Sequence, residues 1–243
     1  MAIEKVLWVV NYNSISDFLR SAIEINATAV AIRTDNDVEK ALTEFHKEGI
    51  KVYGWRWPSA SRDPAIKEAN NAADLILKGM DGYYIDPEGD FGKAWDWNKS
   101  GLDTLADDFC KIIKKAIAKS EAPKVLGITS HYQGKKAYGK LPWKSFFTHS
   151  DVFLPQAYWR TSKGSVGHGI PADNYRVSLD FWKSTGATLG KIVPMAGEIR
   201  YATSAEIAQY GNAAKKCGIN ELHFYTHEAK VSLSVRKAIA MIK

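Results

Sequence analysis

The chain has little cysteine: two residues in 243, Cys110 and Cys217. Two thiols cannot staple a small disulfide scaffold. Both fall on apolar faces of predicted helices, so the expectation is a pair of buried thiols rather than a disulfide or a metal site. An apolar run of leader or membrane-spanning type is also missing, and Met1-Ala2-Ile3-Glu4-Lys5 leads straight into a strand. The expected product is cytosolic until released, or is secreted behind a leader that lies outside this sequence. Low-complexity segments and linkers are absent, so residues 1–243 are read as a single domain. A basic stripe is absent too. The net charge is +6, yet the lysines pair only at 114–115, 135–136 and 215–216. Nucleic acid is therefore not the expected partner, whereas an anionic polymer such as a bacterial wall is compatible. The glycine-rich phosphate loop of a dinucleotide-binding sheet does not follow the first strand, and no cofactor is expected.

Aromatic residues are plentiful instead, with eight Trp and eleven Tyr. Some must be core, but these side chains also form the platforms that hold sugar rings by their apolar faces. Apolar runs at 5–13, 27–33, 50–57, 124–131, 151–158, 191–198 and 221–226 read as strands, and an eighth opens at Asp81. Helical periodicity separates them. Ser14 caps the first helix, Asp35 or Asn36 opens the second, Asp63-Pro64 the third, and Thr203-Ser204-Ala205-Glu206 forms a capping box further on. Continuous apolar strands suit a parallel sheet covered on both faces. Eight strand–helix units in about 250 residues predict a single α/β chain folded as a (β/α)8 TIM barrel.

In that fold the site lies at the C-terminal ends of the strands. Those ends collect Asn11, Arg33, Trp55, Trp57, Asp86, Glu88, His131, Gln156, Tyr158, Trp159, Glu198 and Tyr225. The fourth strand is the one around which the rest is arranged. It runs Asp81-Gly82-Tyr83-Tyr84-Ile85-Asp86-Pro87-Glu88. Side chains alternate on a strand, so Tyr84, Asp86 and Glu88 are expected on one face. Two carboxylates that close titrate as a pair, with one pKa raised, and a carboxyl kept protonated is what glycosidic cleavage needs. His131 is a second candidate base, or a hydrogen-bonded wall residue. His223 and His227 with Glu198 and Glu228 are a weaker, metal-binding alternative, without a standard ligand spacing, and no metal is assigned.

The stretch 81–88 resembles the fourth-strand signature of family 18 glycoside hydrolases, the chitinases, which runs Asp-Gly-x-Asp-x-Asp-x-Glu. It is similar as well to the shorter Asp-x-Glu element of family 25 lysozymes. Leu154-Pro155-Gln156-Ala157-Tyr158 resembles the sixth-strand segment of the chitinases. Two departures stand out: Tyr84 replaces the central Asp, and Asn11 stands where family 25 lysozymes carry a first-strand Asp. The resemblance implies that Glu88 is the general acid, that Asp86 orients the substrate's acetamido group, and that Tyr158 and Gln156 bond and place the same sugar. Tyr84, Asn11, Arg33, Trp55, Trp57, His131, Trp159, Glu198 and Tyr225 would complete the binding surface. The implied substrate is an N-acetylhexosamine polymer, cut with retention by a substrate-assisted route; the basic balance puts peptidoglycan ahead of chitin, and a monomer is expected. Tyr84 also leaves a non-catalytic sugar-binding barrel as an alternative.

Overall fold

The computed structural model describes residues 3–243; Met1 and Ala2, the start of the N-terminal stretch read above, lie outside the described residues. Six strands come first: β1 (Glu4–Val9), β2 (Ala29–Arg33), β3 (Lys51–Arg56), β4 (Gly82–Ile85), β5 (Val125–His131) and β6 (Val152–Gln156). A small antiparallel ribbon, β7 (Arg160–Thr161) with β8 (Gly164–Ser165), follows, and β9 (Glu221–Phe224) is last. The seven long strands form one parallel sheet in the order β6-β5-β4-β3-β2-β1-β9.

The eighth stave differs from the strand expected at 191–198. Only Ile192 and Ala196 make isolated bridges, to Phe153 and Phe224. The chain still closes the barrel there. Val193 N donates to Phe153 O and Met195 N to Pro155 O, both at 2.8 Å, while Tyr225 N donates to Ala196 O at 2.9 Å. Pro194 carries no N–H and cannot complete a ladder, which explains a stave without regular strand pairing. The fold is the (β/α)8 barrel.

Among the described residues eight α-helices lie outside it: α1 (Ile15–Glu24), α2 (Val38–Lys47), α3 (Arg62–Leu77), α4 (Asp103–Ala118), α5 (Trp143–His149), α6 (Pro171–Thr185), α7 (Ser204–Lys216) and α8 (Leu233–Met241). Ser14 Oγ accepts from Asp17 N at the head of α1, and Thr203 with Glu206 forms the capping box of α7. The second helix is capped by Asp37, not by Asp35 or Asn36, because Asp35 is engaged by Arg33. The third opens at Arg62, one residue ahead of Asp63. No helix among the described residues is long and apolar enough to cross a membrane.

The strands alternate between two cores. Outward side chains such as Val30, Ile32 and Phe153 meet Phe18, Phe45, Phe109 and Trp182 on the helices. Inward ones, Val6, Trp8, Ala31, Tyr53, Trp55, Tyr84, Leu154 and Met195, fill the barrel. Cys110 is buried on α4 as expected, but Cys217 is exposed, since it caps the end of α7 where the helix has left the core.

Candidate active site

β4 delivers its two ends to different tasks. At its foot Asp81 is structural: Oδ2 accepts from Val52 N and contacts His46 Nε2, both at 2.8 Å. At its head, Asp86 N donates to Arg56 O at 2.9 Å, and Ser130 Oγ of β5 donates to Pro87 O at 2.7 Å. Trp97 N donates to Glu88 O at 2.7 Å, tying the 90–101 loop to the same turn. Three neighbouring segments thus fix the backbone that carries both carboxylates.

Gln156, at the end of β6, joins the two carboxyl groups. Its Nε2 donates to Asp86 Oδ1 at 3.0 Å and to Glu88 Oε1 at 3.1 Å. Tyr138, from the connection between β5 and α5, donates its hydroxyl to Glu88 Oε2 at 2.9 Å. Asp86 forms part of the wall of a deep cavity of about 180 Å³ with Gln156, Tyr158, Glu198, Tyr225 and Trp8. Glu88 and Trp57 line this cavity and also an outer one of about 510 Å³, whose other walls are Arg33, Asp35, Arg56, Asp90 and Trp95. Glu88 therefore sits at the junction of two chambers, which together reach the few-hundred-Å³ size of a ligand cleft. A larger hollow of about 820 Å³ lies between α3 and α4 on the outside of the helical ring, away from the strand ends and the carboxylate pair.

Electrostatics follow from burial. Removal from water raises the Asp86 pKa well above the ordinary carboxylate value, the charge of Glu88 pushes it the same way, and the Trp57 and Gln156 donors oppose the shift. Burial raises Glu88 too, against the donors Gln156 and Tyr138. The two groups act as one pair that retains a proton where free carboxyls have lost theirs. Glu198 is raised as well, first by burial, though a backbone hydrogen bond and Arg200 restrain it. In the outer chamber burial would raise Asp35, but the hydrogen bond from Arg33 and the charges of Arg33 and Arg56 outweigh it, so its pKa is lowered.

Several residues expected at the site stand elsewhere. Tyr84 is buried beneath the cavity, stacked on Trp8 with ring centroids 5.1 Å apart, and lines neither chamber. Trp55 is buried in the barrel with Nε1 donating to Val9 O; it supports Trp57 edge-on at 5.0 Å instead of meeting a ligand. Trp159 points outward and packs on Tyr210 of α7, because Ala157 and Trp159 take the opposite face from Tyr158. His131 stands behind Tyr138, ring centroids 5.6 Å apart, and burial lowers its pKa. Asn11 accepts from Arg33 Nη2 at 2.9 Å and so holds that side chain against Trp57. His223 cannot serve a metal: Nδ1 accepts from Trp8 Nε1 and Nε2 faces Glu221 Oε1 at 2.6 Å. Among the described residues no group of three His, Cys, Asp or Glu is placed to hold a metal ion.

Other site residues escaped the sequence reading. Trp8, Thr129 and Met195 point inward from β1, β5 and the eighth stave. Asp35, Arg56 and Asp90 line the outer chamber. The alternation of strands could have flagged Trp8 and Thr129, but Tyr138 sits in a loop without periodicity. Two glycines record where rings must pass. A Cβ on Gly89 would lie 2.3 Å from the Tyr138 ring, and one on Gly197 would lie 2.0 Å from the Tyr158 ring.

No family model matches this chain, and no curated protein does. Solved structures do match along nearly all of its length. A family 18 N-acetylglucosaminidase from Paenibacillus barengoltzii superposes with a TM-score of 0.68 at 11% identity, covering 99% of this chain and 100% of its own. A family 18 chitinase from Cycas revoluta, solved with allosamidin, gives 0.66 at 13%, covering 98% and 99%. The spore cortex-lytic enzyme SleL of Bacillus megaterium gives 0.63 at 10%, covering 100% of this chain and 74% of its own. At these identities the likeness is one of architecture: the chain has the TIM-barrel fold found in family 18 chitinases and related glycosidases.

Proposed function

We propose that this protein is a glycoside hydrolase that cleaves β-1,4 bonds in an N-acetylhexosamine polymer, with Glu88 as general acid and the substrate's own acetamido oxygen as nucleophile. The observation that carries the reading is the Gln156 amide spanning Asp86 and Glu88 at the junction of two chambers, with Tyr158 on the wall beside them. A sugar in the deep chamber and a leaving sugar in the outer one would put the scissile oxygen at Glu88. Its proton passes to that oxygen as the bond to C1 breaks, and the acetamido oxygen attacks C1, so no protein nucleophile is needed. Asp86 accepts the acetamido N–H. That donor favours a charged Asp86, which drives the shared proton onto Glu88 when substrate binds. A water, deprotonated by Glu88, then opens the cyclic intermediate with retention. Tyr158 bonds the acetamido group, and Tyr225, stacked on Tyr158 at 5.6 Å, fixes it.

Trp95 on the outer chamber, and an exposed Phe91 next to Asp90 in the chain, support a polymer over a free sugar. Phe91 is 97% exposed, and Trp95 is held at the outer chamber by Asp90 Oδ2 at 3.0 Å. The net charge of +6 favours peptidoglycan over neutral chitin. The deciding assay is release of new reducing ends from purified peptidoglycan and from chitin oligomers. Release from one names the branch. Binding to either without release leaves the second reading, a sugar-binding barrel, which the loss of the signature's central carboxylate at Tyr84 favours.

Two further results are expected. Activity survives exhaustive chelation; loss with EDTA and rescue by zinc would instead require a metal mechanism. Gly197→Ala lowers kcat/KM by about tenfold or more, because the new methyl displaces the Tyr158 ring, a small misplacement with a large kinetic cost. Wild-type kinetics in that variant would remove Tyr158 from the reaction.

A further inference from the structure

We infer that Tyr138 is the positioning residue of Glu88: its hydroxyl is the donor that Glu88 does not share with Asp86, and it fixes the plane of the carboxyl that acts as acid. Gln156 cannot do this, since its single Nε2 serves Asp86 and Glu88 alike, at 3.0 and 3.1 Å. The Tyr138 hydroxyl, at 2.9 Å from Oε2, is bonded to Glu88. It occupies one edge of that carboxyl and leaves the other edge, already shared with Gln156, facing the deep chamber.

The seat of Tyr138 is built. Its N donates to Gly134 O at 3.0 Å, and its O accepts from Trp143 Nε1 at 2.8 Å. The His131 ring backs it edge-on. Gly89 lacks a positive φ, so the backbone does not ask for glycine there; the Tyr138 ring does, because a Cβ would come within 2.3 Å of it. The residue after the catalytic carboxylate thus makes room for the hydroxyl that holds it.

The chemical consequence rests on the glycosidase reading, while the hold on the carboxyl does not. Once Glu88 has given its proton to the leaving oxygen, the Tyr138 hydroxyl stabilises the anion that remains and keeps it aimed at the incoming water. Tyr138 keeps its own proton, since burial and the neighbouring Glu88 raise its pKa. A donor to the charged form lowers the pKa of Glu88, so Glu88 is the stronger acid for it. Asp86 and Asp90 stand beside Glu88 on its own segment. From the other elements Glu198, Tyr158 and Tyr225 face the deep chamber, and Arg33, Asp35 and Arg56 the outer one. All of these remain when only the hydroxyl is removed.

The test is Tyr138→Phe, read by carbon-13 NMR titration of side-chain-labelled glutamate, with the Glu88 signal assigned by its absence in Glu88→Gln. The titration of Glu88 should move up by about one pH unit. In kinetics the alkaline limb, where the acid loses its proton, should move up with it. The value of kcat at the optimum should fall about tenfold while KM stays within about twofold. Gly89→Ala should reproduce the shift, and the double variant should exceed neither single one. An unmoved Glu88 titration in Tyr138→Phe overturns the inference whatever the activity. A wild type that cuts no sugar overturns the glycosidase reading and leaves the NMR result to decide this one.

Discussion

Glu88→Gln should lose about 10² to 10⁴-fold in kcat and keep most of its affinity for the sugar. The amide preserves the size of the side chain and can still receive the hydroxyl of Tyr138, but it has no proton to give the leaving oxygen. Loss of kcat with little change in binding is the mark of an interaction made only in the transition state. The wild-type profile should be bell-shaped. Its alkaline limb reports loss of the proton shared by Asp86 and Glu88, and burial of both groups places it above the range of free carboxyls. Its acid limb reports the second proton, which removes the charge Asp86 needs. Glu88→Gln with wild-type turnover would remove Glu88 from the acid role.

Asp86→Asn separates mechanism from location, and it has a stability signature besides. If the acetamido group is the nucleophile, Asp86 must bear charge beside the positively charged intermediate. The amide keeps the shape and removes the charge, so kcat should fall by about 10²-fold or more, with binding far less affected. A substrate without the acetamido group should be cut poorly by both proteins, and a thiazoline analogue of the intermediate should inhibit the wild type. If deacetylated substrate is cut equally well and a glycosyl-enzyme is trapped on Asp86, the route is the ordinary two-carboxylate one.

The stability effect runs the other way. The folded-state pKa of Asp86 is raised above its unfolded value. Such a group contributes its stability below the unfolded pKa, about 3.9, and loses it as pH rises through the folded pKa. At pH 7 the site therefore costs stability, and Asp86→Asn should melt higher than the wild type. The difference should close below about pH 4, where both states hold the proton. A lower melting temperature at pH 7 would show that Asp86 is stabilised by its partners more than burial penalises it. A buried carboxyl held against its solvation in a ligand cavity is where function and stability commonly trade against each other.

The sequence carried the barrel because its period is local. Apolar strand runs and capped amphipathic helices repeat unit by unit, and each unit is readable without its neighbours. The one weak stave, 191–198, failed for a local reason as well: Pro194 interrupts the ladder though the hydropathy reads as strand. Asp86, Glu88, Gln156 and Tyr158 were legible because alternation along two strands puts them at inward-facing ends, and these four do line one cavity.

Alternation says inward, not how deep. Tyr84 shares a face with Asp86 and Glu88 but lies a layer lower, where register sets it opposite Gly127, stacked on Trp8. Trp8 in turn is held by His223 and Glu221. That aromatic column fills the space beneath the Asp86 carboxyl, so the pair above it has one carboxylate partner each. Trp55 went down and Trp57 up for the same reason, two residues apart on one face. Tyr138 reaches Glu88 from 50 positions away across a loop, through space that Gly89 leaves open. The sequence alone determined which residues could face the barrel mouth, because strand periodicity is a property of the backbone. Only the tertiary structure decided which of them meet a ligand, because depth in a barrel depends on register between strands and on what the layer beneath is filled with.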